Sequence, residues 1–130
     1  AVGMGNPHAV SFDEVGDDAV PGLGPQVEHH PLFPAKVNAG FAAMDGPERI
    51  HLTVWERGAG LTGACGSGAC AAAVAACATG RAEPGRPITV SQPGGDLTIT
   101  VDPGGGPVRM TGPARLVFVA ETDPKLLMDR

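Results

Sequence analysis

One stretch of this chain gathers side chains and backbone groups that could do acid–base chemistry. It reads Glu56-Arg57-Gly58-Ala59-Gly60-Leu61-Thr62-Gly63-Ala64-Cys65-Gly66-Ser67-Gly68-Ala69-Cys70 and runs into the alanine-rich segment that follows. The pattern places Cys65 at the N-terminus of a helix, where unpaired backbone N–H groups and the positive end of the macrodipole favour a thiolate and can hold a carboxylate nearby. A glycine-rich approach would also leave the sulfur exposed. The alternative for Cys65 is a small buried hydrophobe, the usual state of an unpaired cysteine. Cys70 and Cys77, on one face of the same apolar helix, fit that blander description and are expected in the core.

Glu56 and Arg57 close the segment before the glycines. A charge pair is often only a solvated strand end, yet here Arg57 could grip a carboxylate bidentately and Glu56 could receive an ammonium. Together they suit an amino acid. Asn6, His8 and Asn38 lie near turn signals, where asparagine commonly serves the turn itself.

Two other motifs are present in outline. Gly58-Ala59-Gly60-Leu61-Thr62-Gly63 matches a dinucleotide fingerprint, but no second βαβ unit follows it. Gly63-Ala64-Cys65-Gly66-Ser67 has the form of a nucleophile elbow with cysteine for serine; among His8, His29, His30 and His51, spacing selects no base.

The elements that must carry these residues follow from periodicity. Ile50, Leu52 and Val54 alternate with His51, Thr53 and Trp55, as in a half-buried strand over Ile50 to Glu56. From Gly66 to Thr79 the small residues predict a helix buried on all sides, with Gly80 as its αL cap. Val10 to Val15 predicts a short strand, and Gln26 to His30 a short helix with Pro25 in its first position. Pro87 to Ser91, Leu97 to Val101, Val108 to Thr111 and Ala114 to Ala120, parted by turn residues, predict a meander. The expected fold is α+β: a mostly antiparallel, curled, barrel-like sheet around one buried central helix.

At 130 residues with 42% hydrophobic content, the chain suits a single domain. A net charge of -5 with two lysines offers no footprint for nucleic acid or anionic lipid, so a small polar metabolite is the better-matched partner. Three cysteines in one segment argue against a disulfide framework and against a structural zinc site. No basic region followed by an apolar one opens the chain, and no segment suits a bilayer, so a soluble cytoplasmic setting is expected.

Gly5-Asn6-Pro7-His8, Phe33-Pro34 with Val37-Asn38, Trp55 to Gly60, Ala64 to Ala71, Pro93-Gly94-Gly95 and Met110 to Ala114 follow one another as in the diaminopimelate epimerase family, whose C-terminal half this chain resembles. The resemblance implies cofactor-independent inversion at an amino-acid α-carbon, converting LL- to meso-diaminopimelate in lysine and peptidoglycan precursor synthesis. Two cysteines act from opposite faces of the substrate in that family. By motif Cys65 is one of them, with His8 and Glu56 beside it as catalytic residues. Asn6, Asn38, Glu56, Arg57, Gly66 and Ser67 would bind substrate, and neither metal nor cofactor is implied. Leu61 and Ser67 depart from the residues frequent there, Glu and Thr. The family's N-terminal half, with the second cysteine, would be the missing partner of residues 1–130, and a homodimer is a further arrangement to consider. The competing expectations are a non-catalytic amino-acid-binding half-domain and a proline-racemase-like isomerase with another substrate.

Overall fold

Alternation along residues 49–56 decides the layering of the molecule. In the computed structural model, which describes residues 1–127, Ile50, Leu52 and Val54 point into one core and are at most 2% exposed. Trp55, on the other face, donates from Nε1 to Glu28 of a helix there. One sheet therefore separates two helices.

In chain order the elements are β1 (Val2–Gly3), β2 (Pro7–Ser11), a 3-10 turn (Asp17–Ala19), α1 (Val20–Glu28), β3 (Asn38–Met44), β4 (Arg49–Glu56), β5 (Gly60–Thr62), α2 (Gly66–Ala78), β6 (Pro87–Gln92), β7 (Gly95–Thr100), β8 (Arg109–Thr111) and a last 3-10 turn (Pro124–Leu127). The sheet runs β1-β2-β3-β4-β6-β7-β8, with β5 paired to β4. Most neighbours are antiparallel, but β2 pairs with β3 and β4 with β6 in parallel. Parallel neighbours need a long crossover. Helix α1 bridges the first pair and α2 lies within the connection of the second.

Helix α2 touches strands from β1 across to β7, so the sheet curls around it. Its Ala69, Ala71, Ala72, Ala73 and Ala76 are fully buried, against a core that includes Ile50, Ile88, Val90 and Ile99. Each of those larger side chains contributes about 1.5–3 kcal/mol by leaving water. The small residues of α2 matter because they let strands approach its backbone closely. Gly80 has φ 73°, the αL stop expected of it.

Three expectations are corrected, and one strand was not foreseen. The strand expected over Val10 to Val15 is β2, at Pro7–Ser11, because the run parallel to β3 begins at His8. Helix α1 begins five residues before Pro25 and contains it; Val20, Gly24 and Glu28 form a buried stripe at helical spacing, and that packing outweighs the missing proline N–H. Strand β3 carried no clear sequence signal, since Asn38-Ala39-Gly40 is poor in β-formers. Finally, residues 114–120 form no strand: they are irregular and exposed, with Leu116, Val117, Phe118 and Val119 each at least 76% exposed. Pairing ends at Thr111, just before Gly112-Pro113. Among the described residues, no helix is long and apolar enough to cross a membrane.

Candidate active site

Cys65 is the N-cap of α2, in extended conformation at φ -140° and ψ 108°. Its sulfur does what a serine or aspartate oxygen usually does there, accepting the Gly68 N–H at 3.3 Å. Contrary to expectation the residue is buried, at 7% exposure. The chain folds over it because Gly68 brings the helix against β4: a Cβ at that position would stand 3.1 Å from both Cys65 Sγ and Val54 Cγ2. The first-turn N–H groups of Gly66 and Ser67 lie beyond reach of any carbonyl of the helix itself.

A line of hydrogen bonds leads from this sulfur to β2. Ser67 Oγ is 3.6 Å from Cys65 Sγ and accepts from Asn6 Nδ2 at 3.3 Å. Asn6 Oδ1 is 2.9 Å from His8 Nε2. With the Asn6 amide donating to Ser67, its oxygen is left to accept, so His8 donates from Nε2. The Ser67 hydroxyl, its oxygen occupied by Asn6, is free to donate to sulfur. Every donor in the series then faces toward Cys65 or one link behind it.

His8 is 2% exposed. Burial pushes its imidazole below the ordinary histidine range, the Glu56 carboxylate draws it partly back, and the Arg57 guanidinium lowers it again. A neutral ring with a single N–H suits the tautomer just assigned.

Glu56 ends β4, and its Oε1 accepts the Thr62 hydroxyl at 2.7 Å across the β4–β5 turn. Asn38 is 4% exposed and joins three segments: Nδ2 donates to the Pro7 carbonyl at 3.0 Å, and Oδ1 accepts the Arg57 N–H at 2.8 Å. The second N–H of its amide makes no hydrogen bond among the described residues. Arg57 is exposed, with its guanidinium donating to the Ala35 carbonyl at 3.0 Å. Thus Asn6, His8, Cys65 and Ser67 are connected directly, Glu56 and Arg57 act on His8 electrostatically, and Asn38 fixes the backbone on which they stand.

Cys70 is buried and Cys77 partly so, both against the core as expected. Burial raises both thiols, and the nearby Cys65 adds to the effect at Cys70. Two contributors escaped sequence reasoning. Glu28 is 4% exposed and receives Trp55 Nε1–H at 2.8 Å and Gly58 N–H at 3.0 Å, which hold its carboxyl below the usual range. Gln92 accepts the Cys65 N–H. Neither has a motif; the apolar spacing of β6 could have marked Gln92 as a polar residue on a core-facing position. A cavity lined by Asp13, Asp17, Phe41, His51 and Thr53 reaches Gln92, but none of Asn6, His8, Asn38, Glu56, Arg57, Cys65, Gly66 and Ser67 lines it.

The fold is similar to that of a Bacillus anthracis phenazine biosynthesis protein of the PhzF family. The likeness has a TM-score of 0.58 at 20% identity, over 78% of this chain and 33% of that one, and it defines the fold. Sequence goes further. The diaminopimelate epimerase family model matches residues 1–117. Diaminopimelate epimerases of Rhizorhabdus wittichii and Pseudomonas entomophila are 52% and 56% identical over 95% and 91% of the chain. The chain belongs to the diaminopimelate epimerase family, and it spans 44% and 42% of the length of those two relatives.

Proposed function

We propose that this chain is one half of a cofactor-independent amino-acid epimerase acting on diaminopimelate, with Cys65 as one of two acid–base groups. The carrying observation is the placement of Cys65 Sγ among hydrogen-bond donors at the start of α2, beside two N–H groups the helix cannot satisfy. As thiolate, Cys65 takes the α-proton; in the reverse direction, as thiol, it returns one. Losing that proton drives negative charge onto the adjacent carboxylate. The N–H groups of Gly66 and Ser67 would receive that charge, a contribution worth about 10²–10³ in rate for a single donor.

His8 and Glu56 stand behind the reacting centre and set the charge around the α-ammonium. Asn6, Asn38 and Arg57 hold the substrate, with the Arg57 guanidinium suited to the distal carboxylate. That distal contact favours diaminopimelate over the small cyclic substrate of a proline-racemase-like isomerase. A second base on the opposite face must come from the part of the relatives' length outside this chain. The exposed apolar run Leu116 to Val119 supports a protein surface there, as four adjacent bare hydrophobic side chains are unfavourable in water. The three unpaired thiols suit a reducing, cytoplasmic setting.

The test uses the chain joined to, or mixed with, the N-terminal half of a relative. Cys65→Ala should abolish conversion of LL- to meso-diaminopimelate in that assembly. Full activity in the variant overturns the proposal, as would rapid racemisation by residues 1–130 alone. A pure binding module would instead hold diaminopimelate in calorimetry and show no α-proton exchange in deuterated water in either form.

A further inference from the structure

Strand β6 turns Ile88, Val90 and Gln92 toward the core, where the first two are fully buried. Gln92 breaks this apolar series while being only 8% exposed. Its Oε1 accepts the Cys65 N–H at 2.8 Å. The orientation is fixed by chemistry, because an N–H donor must face the amide oxygen. Its Nε2 is then left buried without a hydrogen-bond partner in the structure. A glutamine with half its amide unsatisfied is a poor choice for a core position compared with another aliphatic residue. The contact to Cys65 is what the polar side chain provides.

A second contact from the same hairpin supports it. Gly94 donates its N–H to the Gly63 carbonyl at 2.6 Å, and a Cβ at Gly94 would fall 2.9 Å from that oxygen and 3.2 Å from Ala64 Cβ. The β6–β7 turn thus grips the segment 63–65 at both ends. The N–H of an N-cap residue lies outside the ladder of its helix, so without Gln92 the Cys65 amide has no helical partner.

We propose that Gln92 is a positioning residue: through the Cys65 N–H it sets where the sulfur stands relative to the open N–H groups of Gly66 and Ser67. This rests on Cys65 being the working group, but its test does not depend on turnover. The full chain is prepared with Gln92→Met, which keeps the volume and removes both acceptor and orphan donor, and with Gln92→Glu, which keeps an acceptor. Alkylation by iodoacetamide is followed by mass spectrometry at Cys65 and at Cys70, the latter a reference within the same helix. Amide hydrogen exchange at Cys65 is measured alongside.

Global loosening would raise both cysteines together. In Gln92→Met the Cys65:Cys70 rate ratio should rise about tenfold, the equivalent of one hydrogen bond, with Cys65 amide protection lost. In Gln92→Glu both should stay within about twofold of the parent, since the acceptor remains. An unchanged ratio in folded Gln92→Met, or an equal shift in Gln92→Glu, overturns the proposal. If Gln92→Met does not fold, Gln92→Leu, which likewise lacks an acceptor, decides by the same two outcomes. Retained activity in Cys65→Ala would sink the epimerase reading alone, so the two ideas fail separately.

Discussion

The Ser67 hydroxyl stands 3.6 Å from the Cys65 sulfur while its oxygen accepts from Asn6. A side chain two residues into α2 thereby ties the sulfur to the turn between β1 and β2, near the start of the chain. If Cys65 works as the proposed acid–base group, Ser67→Ala removes a hydrogen bond to a group charged in one half of the cycle, worth about 1.5–3 kcal/mol. Steady-state kinetics of the assembled epimerase should show kcat down roughly ten- to a hundredfold, and Ser67→Thr should restore most of it. Equal rates in the alanine variant would remove Ser67 from the site.

Acid sensitivity should trace to His8. Its imidazole is lowered in the folded chain, so at pH below the unfolded value near 6.5 the unfolded chain takes up a proton that the native chain refuses. The stability present above that value is lost progressively as pH falls toward the folded one. Urea midpoints measured between pH 8 and pH 5 should decline on the acid side. In His8→Gln, which keeps a donor for Asn6, this part of the decline should disappear.

Gly68→Ala should separate stability from reactivity. Alanine gains up to about 1 kcal/mol of helix propensity over glycine. Its methyl group, however, would sit 3.1 Å from Cys65 Sγ and from Val54 Cγ2. With the two effects opposed, the melting temperature should stay near the parent's. Displacing the sulfur by a few tenths of an ångström should still lower turnover roughly tenfold, given that ~1 Å misplacement can cost ~10²-fold. Unaltered turnover would mean that the sulfur has room to move.

Glu28 joins α1 to both β4 and the turn that follows it. In Glu28→Ala, Trp55 Nε1 and Gly58 N lose their acceptor, so thermal unfolding followed by circular dichroism should occur at lower temperature. Glu28→Gln, which keeps one acceptor oxygen, should fall between. Because Glu28 is lowered in the fold, its contribution holds above the unfolded value of 4.5 and is lost as pH falls through the folded one.

The bare run Leu116 to Val119 should make residues 1–130 sticky. Sedimentation of the isolated chain should show concentration-dependent association, reduced by Leu116→Ser with Phe118→Ser, and 1-anilinonaphthalene-8-sulfonate should bind the parent more strongly. Adding the N-terminal half of a relative should suppress that fluorescence. Persistence of the signal in an active assembly would show that the run is not covered there.

Legibility in the sequence followed the physics of each element. The period of residues 50–55 and the small-residue run after Gly66 are direct imprints of burial, so β4, α2 and the N-cap position of Cys65 could be read. Strand β3 is held by neighbours on both sides rather than by its own residues. Residues 114–120 show the reverse: a strand-like pattern pairs with no neighbour among the described residues. In the site, residues that form motifs were visible, whereas Gln92 and Glu28 act on backbone N–H groups through contacts 27 and 30 positions away. The burial of Cys65 depends on how closely Gly68 approaches β4, a distance no spacing rule encodes.

The bond between Asn6 and Ser67 joins positions 61 apart in the chain. Closing so long a loop costs chain entropy that the local contacts within α2 do not, so this contact is expected to form after the helix. A growing or partly unfolded chain therefore holds Cys65 as an ordinary thiol on a loose segment, without the neighbours gathered around it in the native structure. Sulfur chemistry at this position is consequently a clock for folding: the time course of Cys65 protection during refolding should follow the last phase, behind that of the α2 backbone.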